Sequence, residues 1–299
     1  MSRPSTLFGG ALIGTSFTTA AQVQELLDQL QSIGINRIDT AARYSPTSPG
    51  SSERLLGEVR AQEQGFTIDT KTSTDGSLKI DGSGSLTAAN ITKSINDSFS
   101  RLHAENVHIL YFHRPDPETP IAEQAGEIHR QYLEGRFEKF GLSNFPPDLV
   151  TEFIAVCEDK NYVKPSVYQG LYNLLSRESE KTLFPLLRKH GIAFNAYSPL
   201  AGGFLTGRAT RGDAVGTRYA PEMHRVVADL LNIIDPLEIS GAEACLRWLY
   251  YHSTLDEKDG VILGASKFSQ IVQNMSDISK GPLPEIAVQK IDSLFAQVH

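Results

Sequence analysis

Asp39, Tyr44, Lys71 and His113 have the side chains that proton transfer to a carbonyl oxygen would need. A tyrosine hydroxyl, with an ordinary pKa of about 10, is a weak acid near neutrality. A lysine ammonium beside it would stabilise the phenolate and lower that pKa, and an aspartate would hold the lysine charged and oriented. A histidine at the same rim could hydrogen-bond the substrate oxygen and fix its direction. Such a set donates a proton to a carbonyl and needs a hydride donor to complete a reduction. Taken singly, each residue has an ordinary role: Asp39 a helix cap, Tyr44 a loop aromatic, Lys71 a solvated strand end, His113 a core histidine. Only their placement at one rim makes them a constellation.

The elements that must supply this rim are legible as periodicity. Strand-like runs fall at 6–15, 35–41, 66–72, 107–113, 139–144, 165–170, 192–198 and 260–266. They are spaced as βα units are, with one longer gap between 198 and 260 that must hold an extra loop or helix. Between them, Val23, Leu26, Leu27, Leu30 and Ile33 repeat at helical spacing and stop at Gly34. Ile91, Ile95, Phe99 and Leu102 do the same after the candidate cap Thr87. Leu149, Val150, Phe153, Ile154 and Cys157 follow Pro146, Pro147 and Asp148. Eight strands alternating with amphipathic helices predict an α/β fold, a closed (β/α)8 TIM barrel in a single domain over 1–299. The stretches 45–53, 73–86 and 201–223 would then leave C-terminal strand ends, where such a barrel carries its active site. The first of them also reads as the cap of the next helix. HSTLDEKD (252–259) would lie on the opposite, stability face.

Composition narrows the class. Of 299 residues, 40% are hydrophobic and 21% charged, ordinary for a soluble globular protein. Lys and Arg number 28 against 35 Asp and Glu, a net charge of −7 that argues against non-specific nucleic-acid binding. No apolar run approaches the length of a membrane span, and no long apolar stretch follows Arg3 as in a secretory signal. Two isolated cysteines, Cys157 and Cys245, fit a reducing compartment. The expectation is a cytoplasmic protein without membrane or nucleic-acid partners. Gly9-Gly10-Ala11-Leu12-Ile13-Gly14 has the wrong spacing for a dinucleotide fingerprint, and no P-loop, zincin or nucleophile-elbow motif is present. The histidines do not cluster with the cysteines as metal ligands would.

The segments IDTAARY (38–44), TK (70–71), LYFHRPD (110–116), GLSNF (141–145), YQGLYN (168–173), AYSPLAGGFLTG (196–207) and ILGASKFSQIVQN (262–274) resemble an aldo-keto reductase, in order over almost the whole chain. LEGRFEKFGLSNF, LFPLLRKHGIAFNAYSPLAGG and CLRWLYYH resemble most closely the aflatoxin-aldehyde reductase branch. The resemblance implies a barrel that binds NADP(H) without a Rossmann domain. It implies Asp39, Tyr44, Lys71 and His113 as the catalytic tetrad, with Tyr44 the proton donor and Tyr44 and His113 contacting a small-molecule carbonyl substrate. Asp39, Ser143, Asn144 and Gln169 would hold the nicotinamide end of the cofactor, with Tyr197 stacked on the ring. The loop from Ser198 through Pro199, Leu200, Gly202 and Gly203 to Arg208 would wrap the pyrophosphate, and Arg218 would add positive charge. Ser266, Lys267, Gln270 and Asn274 would grip the adenosine 2′-phosphate and adenine at a helix N-terminus, independently a good anion site.

Two departures bear on detail. The chain ends soon after its last expected helix, where the branch carries a longer tail, and Lys267 stands where the branch more often has a small polar residue. The leading expectation is an NADPH-dependent reductase of aldehydes, with dicarbonyls or ketones as further substrates. The same machinery run in reverse would make a sugar or alcohol dehydrogenase. Family-like barrels also serve as channel-associated β-subunits, but those carry a long N-terminal extension or a damaged tetrad, and this chain shows neither. The branch resemblance implies a homodimer.

Overall fold

A computed structural model describes residues 3–45, 47–72, 83–207 and 221–295, without the side chain of residue 295. Arg208 and Arg218, and most of the stretches 73–86 and 201–223, lie outside the described residues. The chain forms β1 (Ser5–Gly9), α1 (Ala20–Ser32), β2 (Arg37–Asp39), α2 (Ser51–Glu58), β3 (Thr67–Lys71), α3 (Ala88–Leu102), β4 (Val107–Phe112) and α4 (Ile121–Leu133). It continues with β5 (Phe137–Ser143), α5 (Pro147–Lys160), β6 (Val167–Leu171), α6 (Leu183–Lys189) and β7 (Ala193–Tyr197). After β7 come α7 (Pro221–Ile234) and α8 (Gly241–Tyr251), then β8 (Gly260–Leu263), α9 (Phe268–Ser279) and α10 (Glu285–Phe295).

The strands pair in parallel in chain order, and β1 pairs with β8 from Ser5 opposite Gly260 to Phe8 opposite Leu263, which closes the barrel. The (β/α)8 expectation holds, and the long gap before β8 contains α7 and α8. Local chemistry explains the helix starts. Thr19 accepts from Gln22 N and the Gln22 side chain answers it, a complete capping box for α1. Thr87 accepts from Asn90 N at the start of α3, as its sequence position predicts.

Several boundaries differ from the sequence reading. The first strand stops at Gly9 because the chain turns into a short 3-10 segment, Gly10–Leu12, and the Gly10 carbonyl accepts from Ser52 Oγ. Strands two and eight are likewise shorter than their apolar runs. The 45–53 stretch leads into α2, yet Gly50, with φ of 84°, is its N-cap and no side chain caps it. Ser51 Oγ instead donates to Ser48 Oγ, and Ser52 Oγ to the Gly10 carbonyl.

Two glycines permit contacts that no other residue would. A Cβ at Gly57 on α2 would meet the Arg101 carbonyl oxygen at 2.1 Å, so this glycine lets α2 lie against α3. A Cβ at Gly141 on β5 would meet the Tyr111 ring at 2.3 Å, so that ring fills the barrel interior beside β5. There Tyr111 Oη accepts from Asn195 Nδ2 at 2.8 Å. Outside the barrel, Tyr172, Phe184, Phe194 and Trp248 pack as an aromatic group under α6 and α8. At the end opposite the tetrad, buried Asp259 accepts from both Arg188 NH groups, from Phe194 N and from Asp256 N. The 252–259 stretch therefore anchors the foot of the barrel, as expected.

Candidate active site

Because every strand runs the same way, the last residues of neighbouring strands meet at one rim. Asp39 ends β2, Lys71 ends β3, His113 follows β4, Ser143 ends β5 and Tyr197 ends β7. Alternation along the strands turns Asp39 and Lys71 toward the barrel axis and their neighbours Thr40 and Thr70 toward the helices.

The four tetrad side chains come together. Lys71 Nζ donates to Asp39 Oδ1 at 2.7 Å and Oδ2 at 2.8 Å, to Thr40 O at 2.9 Å and to Tyr44 Oη at 3.0 Å. Tyr44 Oη donates to Asp39 Oδ2 at 3.1 Å. The Tyr44 and His113 rings meet edge to face with centroids 6.1 Å apart. Lys71 and Asp39 are both 1% exposed, so each charge depends on the other.

The electrostatics revise one expectation. Burial, and then the Asp39 charge and the hydrogen bond to it, hold the Tyr44 phenol well above its ordinary pKa, not below it. Burial pushes Lys71 down and the Asp39 carboxylate pulls it back, leaving it below the ordinary lysine value. Burial, then the charges of Lys71, Arg114 and Arg43, push His113 down to about 3. His113 is therefore neutral near pH 7. Its Nδ1 is buried without a hydrogen-bond partner, which a bare lone pair tolerates better than an N–H. That places the ring hydrogen on Nε2, the nitrogen left for the cleft.

The rim opens into a cleft of about 1620 Å³ whose walls include Asp39, Tyr44 and His113. Small-molecule pockets are commonly ~300–1,000 Å³, so this one has room for a dinucleotide as well as a small carbonyl. Ser143, Asn144, Gln169 and Tyr197 line it. Tyr197 Oη donates to Asn144 Oδ1 at 2.8 Å, and Asn144 Nδ2 donates to the His113 carbonyl at 3.0 Å, which fixes the tyrosine ring over the rim. Gln169 does something the sequence did not indicate: its Nε2 donates to Asp39 Oδ1 at 2.7 Å, joining it to the tetrad. Ser198, Pro199, Leu200, Gly202 and Gly203 form the wall after β7. Left-handed backbone at Ser45, Asn144, Ser198 and Ala201, none of them glycine, gathers in the loops at this rim, where strain commonly marks function.

Ser266, Gln270 and Asn274 line the far end of the cleft. Gln270 Oε1 is engaged, accepting from Ser266 N at 3.0 Å and Lys267 N at 3.4 Å at the start of α9. Lys267 is exposed at that helix's N-cap and is not part of the described cleft wall. Among the described residues the ammonium that lines it is Lys280, held by Glu243 Oε2 at 2.6 Å and Asp277 Oδ1 at 2.9 Å. In sequence these charges read as ordinary solvated helix faces, and only the packing of α8 beside α9 brings them to the cleft. Among the described residues no cluster of His, Cys, Asp or Glu could hold a metal ion.

A barrel with its polar rim at the C-terminal strand ends, a buried Lys–Asp pair and a phenol above it defines a class of oxidoreductase. A family model, the Aldo/keto reductase family, matches residues 7–296. The chain belongs to that family and is an oxidoreductase acting on carbonyl groups. It is 35% identical to an aldo-keto reductase of Pseudocercospora fijiensis over 91% of this chain and 97% of that one. It is 33% identical to aldo-keto reductase family 7 member A3 of Homo sapiens, over 96% of this chain and 92% of that protein. To aflatoxin B1 aldehyde reductase member 4 of Homo sapiens it is 32% identical, with the same coverage.

Proposed function

We propose that this protein reduces aldehydes, with dicarbonyls or ketones as further substrates, to alcohols at the expense of NADPH, with Tyr44 as proton donor. The observation that carries the reading is the Tyr44 hydroxyl, 3.0 Å from the Lys71 ammonium, lining a cleft beside a neutral His113. The donor set suits a nicotinamide dinucleotide: side-chain amides and a fixed aromatic ring stand at the tetrad end, and polar groups of α9 stand at the other. When bound, that cofactor supplies the hydride.

The chain's own residues do the rest. His113 Nε2–H aligns the carbonyl oxygen over Tyr44. As negative charge gathers on that oxygen, the phenolic hydrogen turns from Asp39 Oδ2 to the substrate. A phenol held above its ordinary pKa keeps its proton until then, and Lys71 stabilises the phenolate that remains. Asp39 keeps Lys71 cationic, and Gln169 and Thr40 O hold the pair in place. Preference for NADPH over NADH rests on the start of α9, where Lys267 offers a cation beside the lining residues Ser266 and Gln270. A single domain, a cytoplasmic location and a homodimer belong to the same reading; among the described residues no helix is long and apolar enough to cross a membrane.

The deciding experiment follows cofactor absorbance with NADPH and NADH across aldehydes, ketones, dicarbonyls and sugars. Turnover of aldehydes with NADPH is the expected result. Activity confined to alcohol or sugar oxidation would favour the dehydrogenase alternative, and inactivity toward every compound would defeat the reading.

A further inference from the structure

The first turn of α2 is polar and buried, which an amphipathic helix packed on a barrel does not require. Ser51, Ser52 and Glu53 are all buried, and the Glu53 side chain is 0% exposed. A carboxylate is seldom placed there without a partner and a reason. Its partners lie on two elements. Glu53 Oε2 accepts from Arg101 Nε at 2.8 Å on α3, and Glu53 Oε1 accepts from Thr70 Oγ1 at 2.5 Å on β3. Ser52 Oγ donates to Gly10 O at 2.9 Å, which makes Thr40 Oγ1 the donor in its 2.8 Å bond to Ser52.

The two threonines are the immediate neighbours of the buried ion pair. Thr40 follows Asp39 and Thr70 precedes Lys71, each on the helix side of its strand. Lys71 Nζ also donates to the Thr40 carbonyl. One helical turn thus holds the ends of β2 and β3 from behind, at the residues that flank the two charges. Gly57, one turn further on, lets α3 come close enough for Arg101 to reach Glu53.

We propose that Glu53 is a positioning residue for the Asp39–Lys71 pair, acting through Thr70, with Ser52 and Thr40 as the matching tie on β2. The proposal rests on the reductase reading for its consequence in turnover, while the link itself is a property of the protein alone. Its negative charge also reaches Lys71. The charged and titratable groups around that ammonium are Asp39 on β2, Asp69 on β3, Tyr44 above it, Tyr111 and His113 from β4 and its end, and Glu53 on α2. Asp39, Asp69 and Glu53 favour its charged form. Removing Glu53's charge while keeping its shape must therefore make the ammonium easier to deprotonate.

The test is Glu53→Gln, read in two ways. Carbon-13 NMR of labelled lysine Cε in the protein without cofactor, with the Lys71 signal assigned through Lys71→Met, gives the ammonium's titration midpoint. The pH profile of kcat with an aldehyde gives the alkaline limb. The expected result is a resolvably lower Lys71 midpoint and an alkaline limb moved the same way. With them, kcat falls roughly three- to tenfold and cofactor Kd is nearly unchanged. A variant that is less stable but whose Lys71 midpoint and alkaline limb both stay put overturns the proposal, because Glu53 is then only a packing element. If wild-type protein turns over no carbonyl while the midpoint still falls, the reductase reading fails and the Glu53–Lys71 link stands. Should Glu53→Gln not fold, Glu53→Gln with Arg101→Met is measured against Arg101→Met alone, so that the same lowering of the Lys71 midpoint is read with the arginine charge absent from both.

Discussion

At the residue scale, chemistry and stability separate cleanly at Tyr44. Tyr44→Phe keeps the ring that lies over Lys71 and edge-on to His113 and removes only the hydroxyl. General acids are worth ~10²–10⁴-fold, so kcat should fall by that factor while cofactor Kd and melting temperature hardly move. Near-normal turnover would place the acid elsewhere. His113 makes a different forecast. With its pKa pushed down to about 3, it stays neutral through the usual assay range and contributes no acid limb to kcat above about pH 5. Its folded value lies below its unfolded value of about 6.5, so the unfolded chain binds the proton more readily. Stability on its account is complete above about pH 6.5 and declines as pH falls toward the folded value. A kcat limb near pH 6.5 that disappears in His113→Gln would contradict this. The tetrad's four types were legible in the sequence because each stands at or just beyond a strand end. The tyrosine's raised pKa was not, because it comes first from how deeply the packed barrel buries the phenol and then from the Asp39 charge beside it.

At the element scale, helices and strands could be read from apolar spacing, and what could not be read is the polar contact between them. Ser51, Ser52 and Glu53 look like a helix start in sequence, and so they are. The partners of Ser52 and Glu53, at Gly10 just after β1, Thr40 just after β2, Thr70 on β3 and Arg101 on α3, follow only from how closely α2 packs. Gly57 is the hinge of that closeness. Gly57→Ala would drive a methyl into the Arg101 carbonyl, which is backbone and cannot step aside. A loss of about 1–3 kcal/mol in denaturant unfolding is expected, with a fall in kcat as Arg101 is pushed from Glu53. Unchanged stability would mean that α2 and α3 sit further apart. The loop after β4 has a similar device in Asp116. Its carboxylate accepts from Gly84 N, Leu86 N, Glu118 N and Thr119 N and from the Thr119 hydroxyl, tying the approach to α3 to the segment after His113. Burial alone would raise its pKa, but the bonds from Thr119, Leu86, Gly84 and Glu118 outweigh that and hold it below the usual carboxylate value. Its contribution is therefore full above the unfolded pKa of about 3.9 and is lost as pH falls through the folded value. Asp116→Asn should reduce stability at pH 7 and flatten the acid side of the stability profile. An acid transition identical to wild type would rule this carboxylate out.

At the scale of the whole molecule, the barrel divides its two kinds of buried charge between its two ends. Asp39 and Lys71 sit at the C-terminal rim beneath the cleft, whereas Asp259 sits at the foot, before β8. Both are fully buried carboxylates with a cationic partner, and burial alone would not tell them apart. Geometry does. Asp39 accepts from Tyr44 and Gln169, which line the cleft, and the Asp259 carboxylate accepts from the scaffold: Arg188 on both oxygens, the Phe194 amide at the start of β7 and the Asp256 amide in its own loop. Replacing Asp259 with Asn keeps the shape, removes the charge under the Arg188 fork and turns an N–H₂ toward donors that need an acceptor. Charge-assisted bonds are worth ~1.5–3 kcal/mol each and are not additive, so a loss of roughly 2–4 kcal/mol is a reasonable scale. Because the change lies a full strand length from Tyr44, kcat and cofactor Kd of the folded fraction should stay within about twofold of wild type. Unfolding in denaturant, paired with kinetics at a temperature where the variant is folded, measures both quantities on one sample. Comparable losses in stability and in kcat would mean that the foot of the barrel shapes the rim.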